Sequence, residues 1–193
     1  MPKNFTAIKT EINTTIKVLK NGGIILYPTD TVWGIGCDAQ NSDAIKKIYA
    51  LKQRAETKSM ICLVSNLTML KRYINEIPEA AVSILKTALR PTTIIYNNPK
   101  FLAENIIAED NTIAIRIPNE DFCQQLLKAY DGAIVSTSAN ISGLPTPQCF
   151  NEISEDIIKG VDYVVNLHKE KTNTNPSKII KVNSDGSLKI IRE

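Results

Sequence analysis

Ile8, Ile12, Ile16 and Leu19 recur at helical spacing and are followed by Gly22 and Gly23, so the pattern predicts an amphipathic first helix that stops at the glycine pair. Ile24 to Tyr27 form a short apolar run closed by Pro28, which reads as a buried strand opening at its carboxyl end into the polar loop Thr29-Asp30-Thr31. Asn41 or Ser42 can cap a second helix carrying Ile45, Ile48 and Tyr49, and Lys52 continues that stripe. Met60 to Val64 predict another strand, and helical stretches follow over about 67–74 and 79–88. Thr92 to Tyr96 are β-branched and aromatic, as strands prefer. In Thr112 to Ile117 the isoleucines at 113, 115 and 117 share one face, which puts Thr112, Ala114 and Arg116 on the other. A helix over about 120–130 leads to a strand at Ala133 to Val135, which opens into a second polar loop, Ser136 to Asn140. The tail predicts a short helix near 152–159, a strand over 161–165, and strands over 178–182 and 187–191 joined by a turn at Ser184-Asp185-Gly186. Helices and strands alternate at first and strands then dominate, which predicts an α/β fold, a twisted mixed sheet flanked by helices, in one domain over 1–193.

Composition narrows the classes without changing that picture. At 43% apolar and 22% charged residues the chain has ordinary globular usage. A chain of 193 residues can bury about 70% of its unfolded surface. No apolar run approaches the roughly 18 residues of a membrane span, and the N-terminus lacks the layout of a secretory signal, so a cytoplasmic location without membrane contact is expected. Cys37, Cys62, Cys123 and Cys149 are too widely spaced for a zinc or redox motif and read as reduced core or near-surface thiols. The net charge of +3 is spread along the chain; it does not demand a nucleic-acid partner and leaves phosphate contacts open. The single histidine, His168, reads as a solvated loop residue, which excludes two-histidine metal sites and leaves no imidazole for a triad.

Both hydroxyl-rich loops leave the carboxyl ends of strands, where open α/β sheets usually bind ligands. Thr29, Thr31, Ser136, Ser138 and Asn140 offer compact donors and acceptors suited to phosphate, ribose or a substrate hydroxyl; equally, such residues close turns and cap helices. Gly34, Gly36 and Ala39 formally match a dinucleotide fingerprint, but that motif opens directly into a helix, and Gln40, Asn41 and Ser42 still read as turn. The phosphate loop ending in Gly-Lys-Ser/Thr is absent. Lys52, Arg54 and Lys58 gather at a helix end, where the dipole favours cations even without a ligand. Lys52 and Arg116 also project charge toward partly buried space, which calls for anionic partners.

Five stretches carry a resemblance: YPTDTVWGIGCDA at 27–39, LKQR at 51–54, AIRIP at 114–118, STSANISG at 136–143, and Pro176-Ser177 before Lys178-Ile179-Ile180. Together they resemble the YrdC/YciO family, whose best-known members are threonylcarbamoyl-AMP synthases of the tRNA threonylcarbamoyladenosine (t6A) pathway. The resemblance implies a YrdC-like fold around a large, central basic cavity and a nucleotidyltransferase that joins L-threonine, bicarbonate and ATP, with Mg²⁺, and releases pyrophosphate. By position it implies threonine contacts at Thr29, Thr31, Arg116 and Ser177. Lys52 and Arg54 take the catalytic role at the ATP phosphates, joined on the nucleotide side by Lys58, Thr93, Ser138, Asn140 and Arg192. The partners it implies are tRNA or double-stranded RNA and other proteins of the pathway. The chain departs from the family pattern at Leu89-Arg90-Pro91-Thr92-Thr93, at Ser59, at Leu63, over Asn166 to Asn175 and at Lys178. A family member that keeps the cavity as an RNA- or nucleotide-binding module is therefore the alternative reading.

Overall fold

The computed structural model describes residues 2–55, 60–172, 175–183 and 186–193. Helix α1 (Pro2–Lys20) ends where Gly22 takes a positive φ of 71° that a side chain would resist. It is followed by β1 (Ile25–Tyr27), β2 (Gly34–Gly36), α2 (Ser42–Leu51), β3 (Ile61–Leu63), α3 (Leu67–Tyr73), α4 (Glu79–Thr87), β4 (Thr92–Asn97) and β5 (Thr112–Arg116). The remaining elements are α5 (Asp121–Tyr130), β6 (Ile134–Ser138), α6 (Glu155–Gly160), β7 (Tyr163–Val164), β8 (Lys178–Val182) and β9 (Leu188–Arg192). Asn41 is the cap of α2, its side-chain oxygen accepting from the backbone N–H groups of Asp43 and Ala44. The strands form one mixed sheet in the order β7-β1-β2-β6-β3-β5-β4-β8-β9. Pairings are antiparallel except β1–β7, β3–β5 and β4–β8. This is the expected α/β class. The turn expected at Ser184-Asp185-Gly186 falls largely outside the described residues.

Strand alternation sorts the two faces of the sheet. Ile35, Cys62, Ile94, Ile113, Ile115 and Val135 join the core that packs beneath α2, α3 and α4. The opposite face carries Ile25, Tyr27, Leu63 and Ile134, covered by Ile12 and Leu19 of α1 and by Phe122, Leu126 and Leu127 of α5. Those two helices cover only part of that face. The rest is left to Gly34, Ile61, Arg116, Ser136, Ser138 and Ile179, which line a cavity.

Two local expectations are corrected, and one strand lies where the sequence pattern assigns no element. Residues 34–36 form β2: a Cβ on Gly36 would lie 2.4 Å from the Val135 carbonyl oxygen and 2.8 Å from Cε1 of Tyr27. The strand is thus one that only glycine allows to slide under the Tyr27 ring, which accounts for the glycine spacing without a dinucleotide site. The third strand from the end, expected over 161–165, is the two-residue β7. Residues 136–138 belong to β6, because Ser136 pairs with Ile61 and Ser138 with Gly34, so these hydroxyls come from strand alternation rather than from a loop.

Candidate functional site

The cavity has a volume of about 240 Å³ and brings together most of the polar residues singled out in the sequence. The turn after β1 contributes Thr29 and Thr31, the chain after α2 contributes Arg54, the end of β5 contributes Arg116, β6 contributes Ser136 and Ser138, the residue before β8 is Ser177, and β9 contributes Arg192. Among the described lining residues there are three arginines and no carboxylate. Burial pushes Arg54 below the usual guanidinium value, and burial together with the neighbouring Arg116 does the same to Arg192. Like charges held in a partly desolvated pocket raise its affinity for an anion.

Arg116 is buried at 3% exposure, and its Nη2 lies 3.3 Å from Oγ1 of Thr31 and 3.3 Å from Oδ1 of Asp30. Its Nε is buried with no hydrogen-bond partner, a donor left for an incoming group. Asp30, which the sequence pattern leaves as one more loop residue, has a side chain only 5% exposed. The informative signal is the guanidinium itself, since a buried arginine on a strand requires a nearby carboxylate. Across the cavity Arg192 donates to the Ser177 carbonyl oxygen from Nε at 3.0 Å and from Nη2 at 2.8 Å, and to Ser177 Oγ at 3.2 Å. Ser177 Oγ also meets Thr93 Oγ1 at 2.8 Å. Thr93 is fully buried, so it stands behind Ser177 rather than among the lining residues.

Lys52 and Asn140 are placed differently from the sequence expectation. Lys52 is the C-cap residue of α2 and 1% exposed; it does not line the cavity. Its ammonium donates to the carbonyl oxygens of Ser138 and Asn140, the latter at 2.6 Å, and its own carbonyl accepts from Ser142 N–H at 2.8 Å. Lys52 therefore braces the end of β6 from behind. Burial, helped by Arg54, pulls its pKa from 10.5 to about 8. Asn140 receives the Ser138 hydroxyl proton on Oδ1 at 2.5 Å and lines an adjoining groove of about 270 Å³ that shares Thr146 with the cavity. Lys58, also expected at this site, lies outside the described residues.

Neither the histidine nor the thiols enter the cavity lining. His168, expected in solvent, is partly covered, with Nε2 3.6 Å from Oε1 of Glu120, the residue that caps α5. Cys37, Cys62 and Cys123 are free and buried and Cys149 is free and half-buried, as expected. Among the described residues no cluster of three His, Cys, Asp or Glu side chains could hold a metal, and hydroxyls and arginines do not form a cage for a resident divalent ion. No described helix is long and apolar enough to cross a membrane.

A mixed α/β sheet that bares part of one face as a hydroxyl-rich hollow ringed by arginines defines a protein built to hold a small anionic molecule. The chain belongs to the Sua5/YciO/YrdC family, whose model, described as telomere recombination, matches residues 17–193. It is 35% identical over 139 residues to a threonylcarbamoyl-AMP synthase of Psychromonas ingrahamii, covering 70% of this chain and 73% of that protein. It is 34% identical over 176 residues to a putative threonylcarbamoyl-AMP synthase of Methanocaldococcus jannaschii, covering 90% and 81%. In fold it is similar to P. abyssi Sua5 complexed with L-threonine, with a TM-score of 0.83 and 24% identity over 94% of this chain; the chain spans about half, 53%, of that longer protein.

Proposed function

We propose that this protein synthesises threonylcarbamoyl-AMP from L-threonine, bicarbonate and ATP with release of pyrophosphate, the first step of t6A modification of tRNA. The relatives that carry the synthase name are matched over most of their own length. The observation that carries the reading is the buried guanidinium of Arg116, with an unused Nε, in the same hollow as Arg54 and Arg192. One end of the cavity then suits an amino-acid carboxylate and the other a triphosphate. The module reading, an RNA- or nucleotide-binding protein without synthesis, is not favoured by these relatives.

In this reading the threonine amine adds to the bicarbonate carbon and water leaves, giving a carbamate. A carbamate oxygen attacks the α-phosphorus, the bond from that phosphorus to the α,β-bridging oxygen breaks, and pyrophosphate departs with the electron pair. Arg116 and Ser177 hold the amino acid, and Thr31 backs Arg116. Arg54 and Arg192, with Lys58, neutralise charge on the phosphates, while Lys52 fixes Ser138 and Asn140 where the nucleotide passes. The turn at Thr29 supports Thr31, and Thr93 supports Ser177. Most of the rate acceleration would come from positioning and electrostatics. Mg²⁺ would arrive on the triphosphate as part of the substrate, since the residues present do not build a cage for it. The product would be consumed by transfer to tRNA, so tRNA and other proteins of the pathway are the expected partners, in the cytoplasm.

The test is pyrophosphate release by the purified protein. The reading expects release that requires both threonine and bicarbonate; release independent of threonine, or none with all three substrates and Mg²⁺ present, overturns it.

A further inference from the structure

We infer that Asp30 is a positioning residue for the amino-acid carboxylate: together with Thr31 it holds Arg116 from one side and leaves the rest of the guanidinium for the substrate. The inference deepens the proposed function and rests on it for the identity of the carboxylate.

The hydrogen-bond directions follow from counting protons. Thr29 donates its only hydroxyl proton to the Val32 carbonyl oxygen at 2.7 Å and accepts from Thr31 N–H at 3.0 Å. The 3.0 Å contact between the two threonine oxygens must then be donated by Thr31. With that proton spent, Thr31 Oγ1 can only accept, which is what Nη2 of Arg116 requires at 3.3 Å. A one-way chain therefore runs from Arg116 through Thr31 and Thr29 to Val32, and it fixes the turn as an acceptor facing the guanidinium. The Thr29 hydroxyl proton is spent within the turn, so Thr29 has none left to donate to a substrate.

Asp30 closes the arrangement. Its Oδ1 forms an ion pair with the same Nη2 at 3.3 Å without hydrogen-bond geometry, and its Oδ2 accepts from Asn119 N–H at 3.1 Å, so it ties the turn electrostatically to Arg116 and by a hydrogen bond to the chain three residues beyond. Both side chains of the pair are within 5% exposure, so water does not replace either partner. Both contacts to Arg116 fall on Nη2, and Nε stays unpartnered.

Asp30→Asn separates orientation from charge. An amide has one oxygen, so if it serves Asn119 N–H its NH₂ faces the guanidinium, donor against donor. If Asp30 acted only by cancelling charge, its removal would strengthen attraction for a carboxylate. If it positions Arg116, threonine binding weakens. We expect threonine KM and calorimetric Kd to rise at least tenfold in D30N, with kcat within threefold and ATP KM unchanged, as follows when an interaction that stabilises ground and transition states equally is removed. Thr31→Val, which breaks the chain at its middle, should do the same, and D30N should add less than threefold in an Arg116→Lys background because both act through one group. Tighter or unchanged threonine binding in both D30N and T31V overturns the inference, as does an equal loss for ATP. Should D30N not fold, T31V and its combination with R116K decide. A parent protein that binds threonine but makes no adenylate sinks the proposed function and leaves the inference to the Kd values; a parent that binds no threonine sinks both.

Discussion

Replacing Lys52 by Met removes the charge and keeps the length of the side chain, and the geometry makes its effect on stability and on function diverge. Lys52 is 1% exposed, and its ammonium gives charged hydrogen bonds to the carbonyl oxygens of Ser138 and Asn140. Each such bond is worth about 1.5–3 kcal/mol, so their loss costs about 3–6 kcal/mol. Against this, the fall in pKa from 10.5 to about 8 means that keeping the buried group charged costs about 3 kcal/mol. The net destabilisation is then about 0–3 kcal/mol, a Tm shift of no more than about 10 °C for a chain of this size. Function loses more: the Ser138–Asn140 segment is unbraced and a positive charge beside the anion cavity is gone. Thermal unfolding followed by pyrophosphate release in an ATP titration should show a folded protein with ATP KM raised at least tenfold and threonine KM changed less. An unchanged ATP KM in the folded variant refutes the reasoning, and so does an effect confined to threonine.

Arg116→Lys keeps the charge opposite Asp30 but loses the planar fork, so Tm should stay within a few degrees while threonine kcat/KM falls at least tenfold; an unaltered threonine dependence contradicts the role of the guanidinium. Gly36→Ala should lower stability by about 1–3 kcal/mol through overpacking, seen as a lower midpoint in urea, because the added methyl meets the Val135 carbonyl oxygen and the Tyr27 ring; a midpoint like the parent's would show that the strand yields freely. The pH profile of kcat/KM for ATP, at saturating threonine and bicarbonate, should fall on the alkaline side with a midpoint near 8 as Lys52 loses its proton, and K52M should lose that limb. Stability should move the other way. The folded-state pKa of Lys52 lies below its unfolded value, so the unfolded chain binds more protons between about pH 8 and 10.5, and this group makes the fold more stable as pH rises through that window.

The elements with strong periodicity were legible in the sequence. The stripe of Ile12 and Leu19, the glycine pair after it and the alternation that placed Arg116 opposite Ile113 and Ile115 all describe local backbone geometry, which neighbouring residues determine. Strand β2 was not legible, because two glycines in three residues oppose a strand by propensity and are tolerated only where a tyrosine ring from the adjacent strand fills their space. Sheet order was equally out of reach, since pairing β3 in parallel with β5 and antiparallel with β6 depends on crossovers that no local pattern encodes. At the site, residue types were readable and their division of labour was not. Lys52 continued the buried stripe as its spacing required, yet that spacing could not reveal that its nitrogen would reach the carbonyls of Ser138 and Asn140 rather than the cavity. The role of Asp30 is hidden for the same reason, since a loop carboxylate becomes a buried ion-pair partner only once residue 116 arrives from 86 positions away.

The most direct measurement is mass spectrometry of the nucleotide product after the protein is incubated with ATP, threonine and ¹³C-labelled bicarbonate. Threonylcarbamoyl-AMP carrying one labelled carbon, formed by the parent protein and reduced at least tenfold in Arg116→Lys at subsaturating threonine, is the predicted result. An adenylate without the label, or no adenylate while ATP and threonine still bind, would contradict the account.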